Sequence, residues 1–171
     1  MRFHRTPHPD QLVLRLEDID DHDPELAGPD IHHVAQALAF AREHQHDRLL
    51  VHCHAGVCRS TAIGLAILAD RLGAGNERQA VDALLSSNPD AVPNLLMVAI
   101  ADEVLCRNGA LVAAWAEAEK ANPDIARYRR TKTEFLRENR QLFEARPDGG
   151  YHAAGRCRPD RLGLTLLPKA D

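Results

Sequence analysis

The stretch LLVHCHAGVCRST, from Leu49 to Thr61, decides the fold that the sequence predicts. It begins with three apolar residues, which are typical of a short buried strand, and from Arg59 onward the pattern becomes helical. Between strand and helix lies a loop of small residues that starts at Cys53. Because the first amides of a helix have no partner within it, a strand, a loop and a helix start in this order predict an anion-binding site.

The predicted anion site also contains a thiol, that of Cys53. A cysteine reacts as its thiolate, and loop amides, a helix N-terminus and a nearby guanidinium lower a thiol pKa from ~8.5 into the range ~3.5 to 7.5. The planar guanidinium of Arg59 is suited to bind two phosphoryl oxygens at once. Since positioning and charge stabilisation govern phosphoryl transfer, these groups predict phosphate chemistry that needs neither a metal nor a cofactor.

The segment HCHAGVCRST resembles the HCxxGxxRS signature loop of the cysteine-dependent protein tyrosine and dual-specificity phosphatases, a superfamily with small bacterial members. The resemblance implies that Cys53 is the nucleophile and that Arg59 binds the phosphoryl group. It assigns Ser60 to the departure of the thiolate and His52 to support of the loop. The loop residues that it places around the substrate are His54, Ala55, Gly56, Val57, Cys58 and Arg59.

The resemblance also implies a fold and an activity. The fold is α/β, with a mostly parallel central sheet flanked by helices and the phosphate-binding loop between a strand and a helix. Residues 87–105 resemble a stretch of the small bacterial enzymes, which extends the likeness to about residues 12–116. The expected activity is hydrolysis of phosphate monoesters, of phosphotyrosine or phosphoserine and phosphothreonine in proteins or of another small phosphoester. The alternative is a phosphate-binding module without turnover.

A phosphatase of this kind also needs a general acid to protonate the leaving oxygen. The alternating pattern at Leu12–Leu16 predicts a strand, and a loop rich in acidic residues follows it. The resemblance implies an aspartate on a loop after a strand, and Asp18 directly follows this one, so we take it as the acid. Asp21 is the second choice and Asp20 the third, and spacing alone leaves the three open.

Other interpretations of the cysteine segment have less support. Sulfur-transfer domains of the rhodanese type also use a cysteine loop, but the Ala-Gly pair and the serine after arginine favour the phosphatases. A zinc site would need ligands from His52, Cys53, His54 and Cys58. Residues so close on a tight loop do not easily converge on one tetrahedral centre, so we expect no metal. Cys58 is either a resolving thiol for oxidised Cys53 or a small residue that fills the loop.

The rest of the chain predicts helices. We expect them over 30–46, from Thr61 to Leu72, after a capping box of Asn76 and Gln79, and over 95–106 and 111–119. Residues 1–121 would form the catalytic domain, 122–146 a basic amphipathic helical extension and 147–171 a loose tail. Phosphatases of this type have further strands before the acid loop. We therefore expect either that the chain begins late relative to the natural protein or that the sheet is smaller, with one edge exposed.

Composition limits the remaining classes. The chain has 171 residues and a net charge of −4, and it contains no apolar run long enough to span a membrane. The N-terminus lacks the apolar core of a secretory signal, and four cysteines do not indicate a disulfide framework in a chain of this size. We therefore expect a cytoplasmic protein with no nucleic-acid partner, and its oligomeric state stays open.

Overall fold

The computed structural model describes residues 10–143. Over this range the chain forms six α-helices and a short 3-10 helix at Arg140–Leu142. The α-helices are α1 (Ile31–Glu43), α2 (Arg59–Leu72), α3 (Glu77–Ser87), α4 (Leu95–Val104), α5 (Ala110–Lys120) and α6 (Pro123–Glu138). The helices predicted from the sequence are therefore confirmed, with ends that differ by a few residues. The predicted tail at 147–171 lies outside the described residues.

The predicted α/β fold with a parallel central sheet is wrong, because residues 10–143 contain no sheet. Neither Leu12–Leu16 nor Leu49–Val51 forms a strand, and the side chain of Leu50 is 87% exposed. A strand needs a hydrogen-bonded neighbour, and an apolar pattern shows only which side chains favour burial. Leu12, Leu14, Leu16 and Leu49 do satisfy that preference, since they pack, partly buried, against the helical core.

The core forms around α2, which packs against α1, α3 and α4. The sequence of α2 is apolar on nearly all sides, and Leu65 and Ala66 in its middle are fully buried. Burying one leucine side chain in this way contributes roughly 1.5 to 3 kcal/mol. An ion pair between Arg42 and Asp70, with two N–O contacts of 2.7 and 2.8 Å, joins α1 to α2. The phosphate-loop candidate thus precedes a helix that packs against three others.

Side chains that cap helix ends fix where several helices begin. Asp30 and His33 form a capping box at α1, and the carboxylate of Asp102 accepts hydrogen bonds from the first amides of α5. The capping box predicted at Asn76 is absent, because this side chain donates instead to the carbonyl of Leu72, at 2.8 Å. Asparagine competes for nearby backbone groups in several ways, so the pattern alone does not decide which bond forms.

Candidate phosphate-binding site

The thiol of Cys53 lies where hydrogen bonds from the following loop converge. The hydroxyl of Ser60 is 3.3 Å from its sulfur, and the amide of Gly56 donates to the sulfur at 3.2 Å. Partial burial raises the pKa of the thiol, but hydrogen bonds from Ser60 and from the amides of Gly56 and Ala55 outweigh it and lower the pKa from 9.0 to about 7. The thiolate is therefore well populated near neutral pH.

The backbone of the loop requires glycine at one position. Gly56 has φ of +75°, a left-handed conformation that costs other residues roughly 1 to 2 kcal/mol. A Cβ added there would meet no atom within 4 Å, so the requirement is conformational and not steric. This conformation turns the amide of Gly56 toward the sulfur of Cys53.

The loop is braced from the other side by the turn between α3 and α4. Backbone amides and side chains of that turn donate to carbonyls of the loop, and Thr61 on α2 adds bonds from its hydroxyl. The donors and acceptors are Asn88 Nδ2 to Gly56 O at 3.2 Å, Val92 N to Val57 O at 3.0 Å, Asn94 N to Cys58 O at 3.2 Å, and Thr61 Oγ1 to Val57 O and to Cys58 O. These bonds hold the carbonyls of Gly56, Val57 and Cys58, while the amides of Ala55, Gly56 and Ser60 bond to the sulfur of Cys53.

Arg59 is the first residue of α2, and one nitrogen of its guanidinium donates a hydrogen bond. Its Nη1 donates to the carbonyl of Leu16 at 2.8 Å, which ties α2 to the segment before the acidic loop. Its Nε is buried and finds no hydrogen-bond partner within residues 10–143. The nearest acidic oxygen, Oδ2 of Asp18, is 3.8 Å away from this Nε. A buried donor without a hydrogen-bond partner is costly, and the side chain of Arg59 as a whole is 28% exposed, which leaves room for a ligand oxygen.

Asp18, the predicted general acid, is held as a carboxylate. Its Oδ1 accepts from Lys132 Nζ at 2.7 Å and from Asn94 Nδ2 at 2.8 Å. Burial raises the pKa of this carboxyl, but the charge and hydrogen bonds of Lys132, with Asn94 and Arg59, more than offset burial and lower the pKa below its usual value of 3.8. This environment favours the carboxylate of Asp18 over its protonated form.

The two other candidate acids differ from each other. Asp20 accepts from the amide of Leu95 at 3.0 Å and forms ion pairs with Arg129 and Lys132. Asp21 is exposed, and among residues 10–143 it makes no hydrogen bond or ion pair. The carboxylates of Asp18 and Asp20 therefore form hydrogen bonds and ion pairs within residues 10–143, whereas the carboxyl of Asp21 forms none there.

The remaining predicted residues divide between surface and interior. His52, His54 and Ala55 are exposed at the start of the loop. Cys58 is buried, and its thiol donates to the hydroxyl of Tyr128 on α6 at 3.6 Å. Burial, followed by the charge of Asp18, raises the pKa of Cys58 to about 11, so this thiol stays protonated when Cys53 ionises. Its role as a resolving thiol stays a prediction.

Three residues that contact the site were not among the predicted ones. Asn94 is fully buried, donates to Asp18 and to the carbonyl of Ile19, and caps α4 by accepting from Met97 N. Tyr128 and Lys132 come from α6, one turn apart. The sequence predicted a basic amphipathic helix here, but it did not indicate that basic residues on this helix pair with the acidic loop.

Comparison with known proteins gives no relative: no family model, curated protein or solved structure matches this chain. In the described range, no group of three or more His, Cys, Asp or Glu side chains is arranged to hold a metal ion. Nor is any helix between residues 10 and 143 both long and apolar enough to cross a membrane.

Proposed function

We propose that this protein hydrolyses phosphate monoesters through a phosphocysteine intermediate on Cys53. One observation carries the proposal: the sulfur of Cys53 accepts from the amide of Gly56 and lies 3.3 Å from the hydroxyl of Ser60. These groups stabilise an anion at the sulfur, and Arg59, at the end of the same loop, carries a guanidinium whose Nε has no hydrogen-bond partner within residues 10–143. A thiolate nucleophile and donors for phosphoryl oxygens are the two requirements of this chemistry.

In the first step, the thiolate of Cys53 attacks phosphorus, the S–P bond forms and the P–O bond to the leaving group breaks. Charge develops on the three other oxygens, where loop amides and Arg59 act as donors. The leaving oxygen departs with the electron pair of the broken bond and takes a proton from solvent. An aryl oxygen, with a pKa of about 10, leaves more readily than an alkoxide without a positioned acid.

In the second step, water attacks phosphorus and the P–S bond breaks, which releases inorganic phosphate and one proton and restores the thiolate. The hydroxyl of Ser60, 3.3 Å from the sulfur, stabilises the negative charge as it returns. With Asp18 held as a carboxylate, the geometry favours esters of acidic alcohols. Of the predicted substrates, phosphotyrosine and small aryl phosphates fit this preference better than phosphoserine.

A second candidate function is phosphate binding without turnover. The observation that favours it is the pair of bonds from Lys132 and Asn94 to Asp18, because they disfavour the protonated form of the acid that the resemblance implies. A site of this kind would still bind a phosphorylated group through Arg59 and the loop amides, but would release it unchanged.

Turnover of p-nitrophenyl phosphate by the full chain separates these functions. The phosphatase proposal expects release of p-nitrophenol, its loss in Cys53→Ser, and trapping of a phosphoryl group on Cys53 by rapid acid quench and mass spectrometry. Ser86→Ala, which removes an exposed hydroxyl that bonds only within α3, is the control and should retain turnover. Binding of a phosphotyrosine peptide without any turnover would support the module, and absence of both would contradict the phosphate-site proposal.

A further inference from the structure

We propose that Lys132 is a positioning residue of this site: by pairing with Asp18 from α6, it leaves the guanidinium of Arg59 available for phosphoryl oxygens. The inference rests on the proposed function, since it assigns Arg59 to the phosphoryl group. It also gives Asp18 a role other than that of a general acid, and it makes α6 part of the site.

The geometry places Lys132 between two carboxylates of the acidic loop. Its Nζ lies 2.7 Å from Oδ1 of Asp18 and 2.9 Å from Oδ2 of Asp20, and its side chain is only 15% exposed. Ion pairs that are shielded from solvent are screened little by salt. The contact is therefore stronger than the surface pairs elsewhere on α6, such as that between Arg127 and Asp124.

The carboxylate of Asp18 uses one oxygen for these bonds and turns the other toward Arg59. Lys132 and Asn94 share Oδ1, while Oδ2 stays 3.8 Å from Arg59 Nε, too far for a hydrogen bond. Charge-assisted bonds between nitrogen and carboxylate have lengths of about 2.7 to 2.9 Å, so a shift of about one ångström would close the pair. By pairing with Asp18, Lys132 therefore keeps this carboxylate from competing with the substrate for Arg59.

Loss of Lys132 would have two consequences for a bound phosphate. Arg59 is the other cation that pairs with Asp18, at 3.8 Å, so the carboxylate would move closer to the guanidinium that is to bind the phosphoryl group. It would also leave a less compensated negative charge beside a dianionic ligand, which repels it. Both effects weaken binding of the anion, and neither alters the thiol of Cys53 directly.

The prediction is tested by measuring dissociation constants for inorganic phosphate and orthovanadate, together with kcat and KM for p-nitrophenyl phosphate. Lys132→Met should weaken anion binding and raise KM about tenfold, with kcat changed much less. Lys132→Arg should restore affinity because it keeps the pair. Arg130→Met removes a charge from an exposed position of the same helix, and should behave as the unmodified protein.

The double variant Asp18→Asn with Lys132→Met gives the sharpest comparison. If Lys132 acts by occupying Asp18, removing both charges should return anion affinity to within about twofold of the unmodified protein. A merely structural role predicts instead that the double variant binds as weakly as Lys132→Met or more weakly. Should Lys132→Met fail to fold by circular dichroism, Lys132→Gln replaces it, and Asp18→Asn alone should retain affinity.

Two outcomes overturn the inference. One is unchanged anion affinity in a folded Lys132→Met protein. The other is loss of kcat in Asp18→Asn together with the basic limb of its pH profile, which would identify Asp18 as the general acid. Failure of the proposed function is distinguishable from both outcomes. In a protein without any turnover, the dissociation constant for phosphate can still be measured, and it shows whether Lys132 affects anion binding at Arg59.

Discussion

The phosphate loop, residues 53–60, and the acidic loop, residues 17–25, meet at Arg59 but are held by different forces. Backbone hydrogen bonds from the turn before α4 hold the first, among them Val92 to Val57 and Asn94 to Cys58. Side-chain ion pairs from a helix more than a hundred residues away hold the second, such as Lys132 with Asp18. A local motif can therefore predict the phosphate loop and miss the distant ion pairs that hold the acidic loop.

Arg59 belongs to the phosphate loop and pairs with Asp18 of the acidic loop, so its replacement should have the largest effect on activity. Arg59→Met removes the donor for phosphoryl oxygens and should reduce kcat/KM for p-nitrophenyl phosphate by about 10² to 10³-fold. Arg71→Met, on the last turn of the same helix, is the control and should retain activity. Retained activity in Arg59→Met would show that the guanidinium does not contact the substrate.

Asn94 joins the two loops, so its loss should give the largest change in stability. Asn94→Ala removes a fully buried side chain that bonds to Asp18, Ile19 and Met97, and should lower the free energy of unfolding by about 3 kcal/mol. Asn76→Ala removes a single exposed bond, to Leu72, and should cost far less. Equal losses in urea titrations of the two variants would contradict the bridging role of Asn94.

Gly56 tests the backbone of the phosphate loop alone. Gly56→Ala keeps all side-chain contacts but strains a residue with φ of +75°, and should destabilise the protein by about 1 to 2 kcal/mol. Gly64→Ala, inside α2 with its nearest neighbouring atom at 3.7 Å, should stabilise it by up to about 1 kcal/mol. Thermal unfolding compares the two, and the same sign for both would contradict the assigned conformations.

Arg140 tests the outer end of the acidic loop and should have the smallest effect. It pairs with Asp23 and Glu25 at an exposed position, where solvent weakens such contacts. We expect Arg140→Met to leave the melting temperature and the phosphate affinity unchanged within error. A loss of affinity as large as that of Lys132→Met would show that the whole row of ion pairs acts as one unit.

The sequence allows much of the phosphate loop to be predicted. The roles of Cys53 and Arg59 follow from the resemblance and stay predictions, whereas small residues before an apolar helical pattern indicated the loop and α2. These features depend on neighbours within a few residues, so a local pattern contains them. The thiol of Cys53 does receive bonds from Gly56 and Ser60, as the prediction requires.

The sheet and the acidic loop could not be predicted in the same way. The alternating leucines of Leu12–Leu16 indicated which side chains pack inward, but strand formation depends on a partner that the pattern does not identify. Similarly, Asp18 follows the predicted strand as a general acid should. Its charge state depends on Lys132, which lies 114 residues later in the chain and has no periodic relation to it.

Alkylation of Cys53 by iodoacetamide across pH tests whether the loop stabilises an anion at this sulfur. Cys58 in the same protein is the internal control. Because the pKa of Cys53 is lowered, its thiolate stabilises the folded state above pH 9, and this stabilisation is lost as pH falls through about 7. Mass spectrometry should show an alkylation midpoint near pH 7 for Cys53, protection by orthovanadate, and little reaction at Cys58, whose pKa is about 11. A midpoint for Cys53 near 9, without protection by orthovanadate, would contradict an anion-stabilising loop.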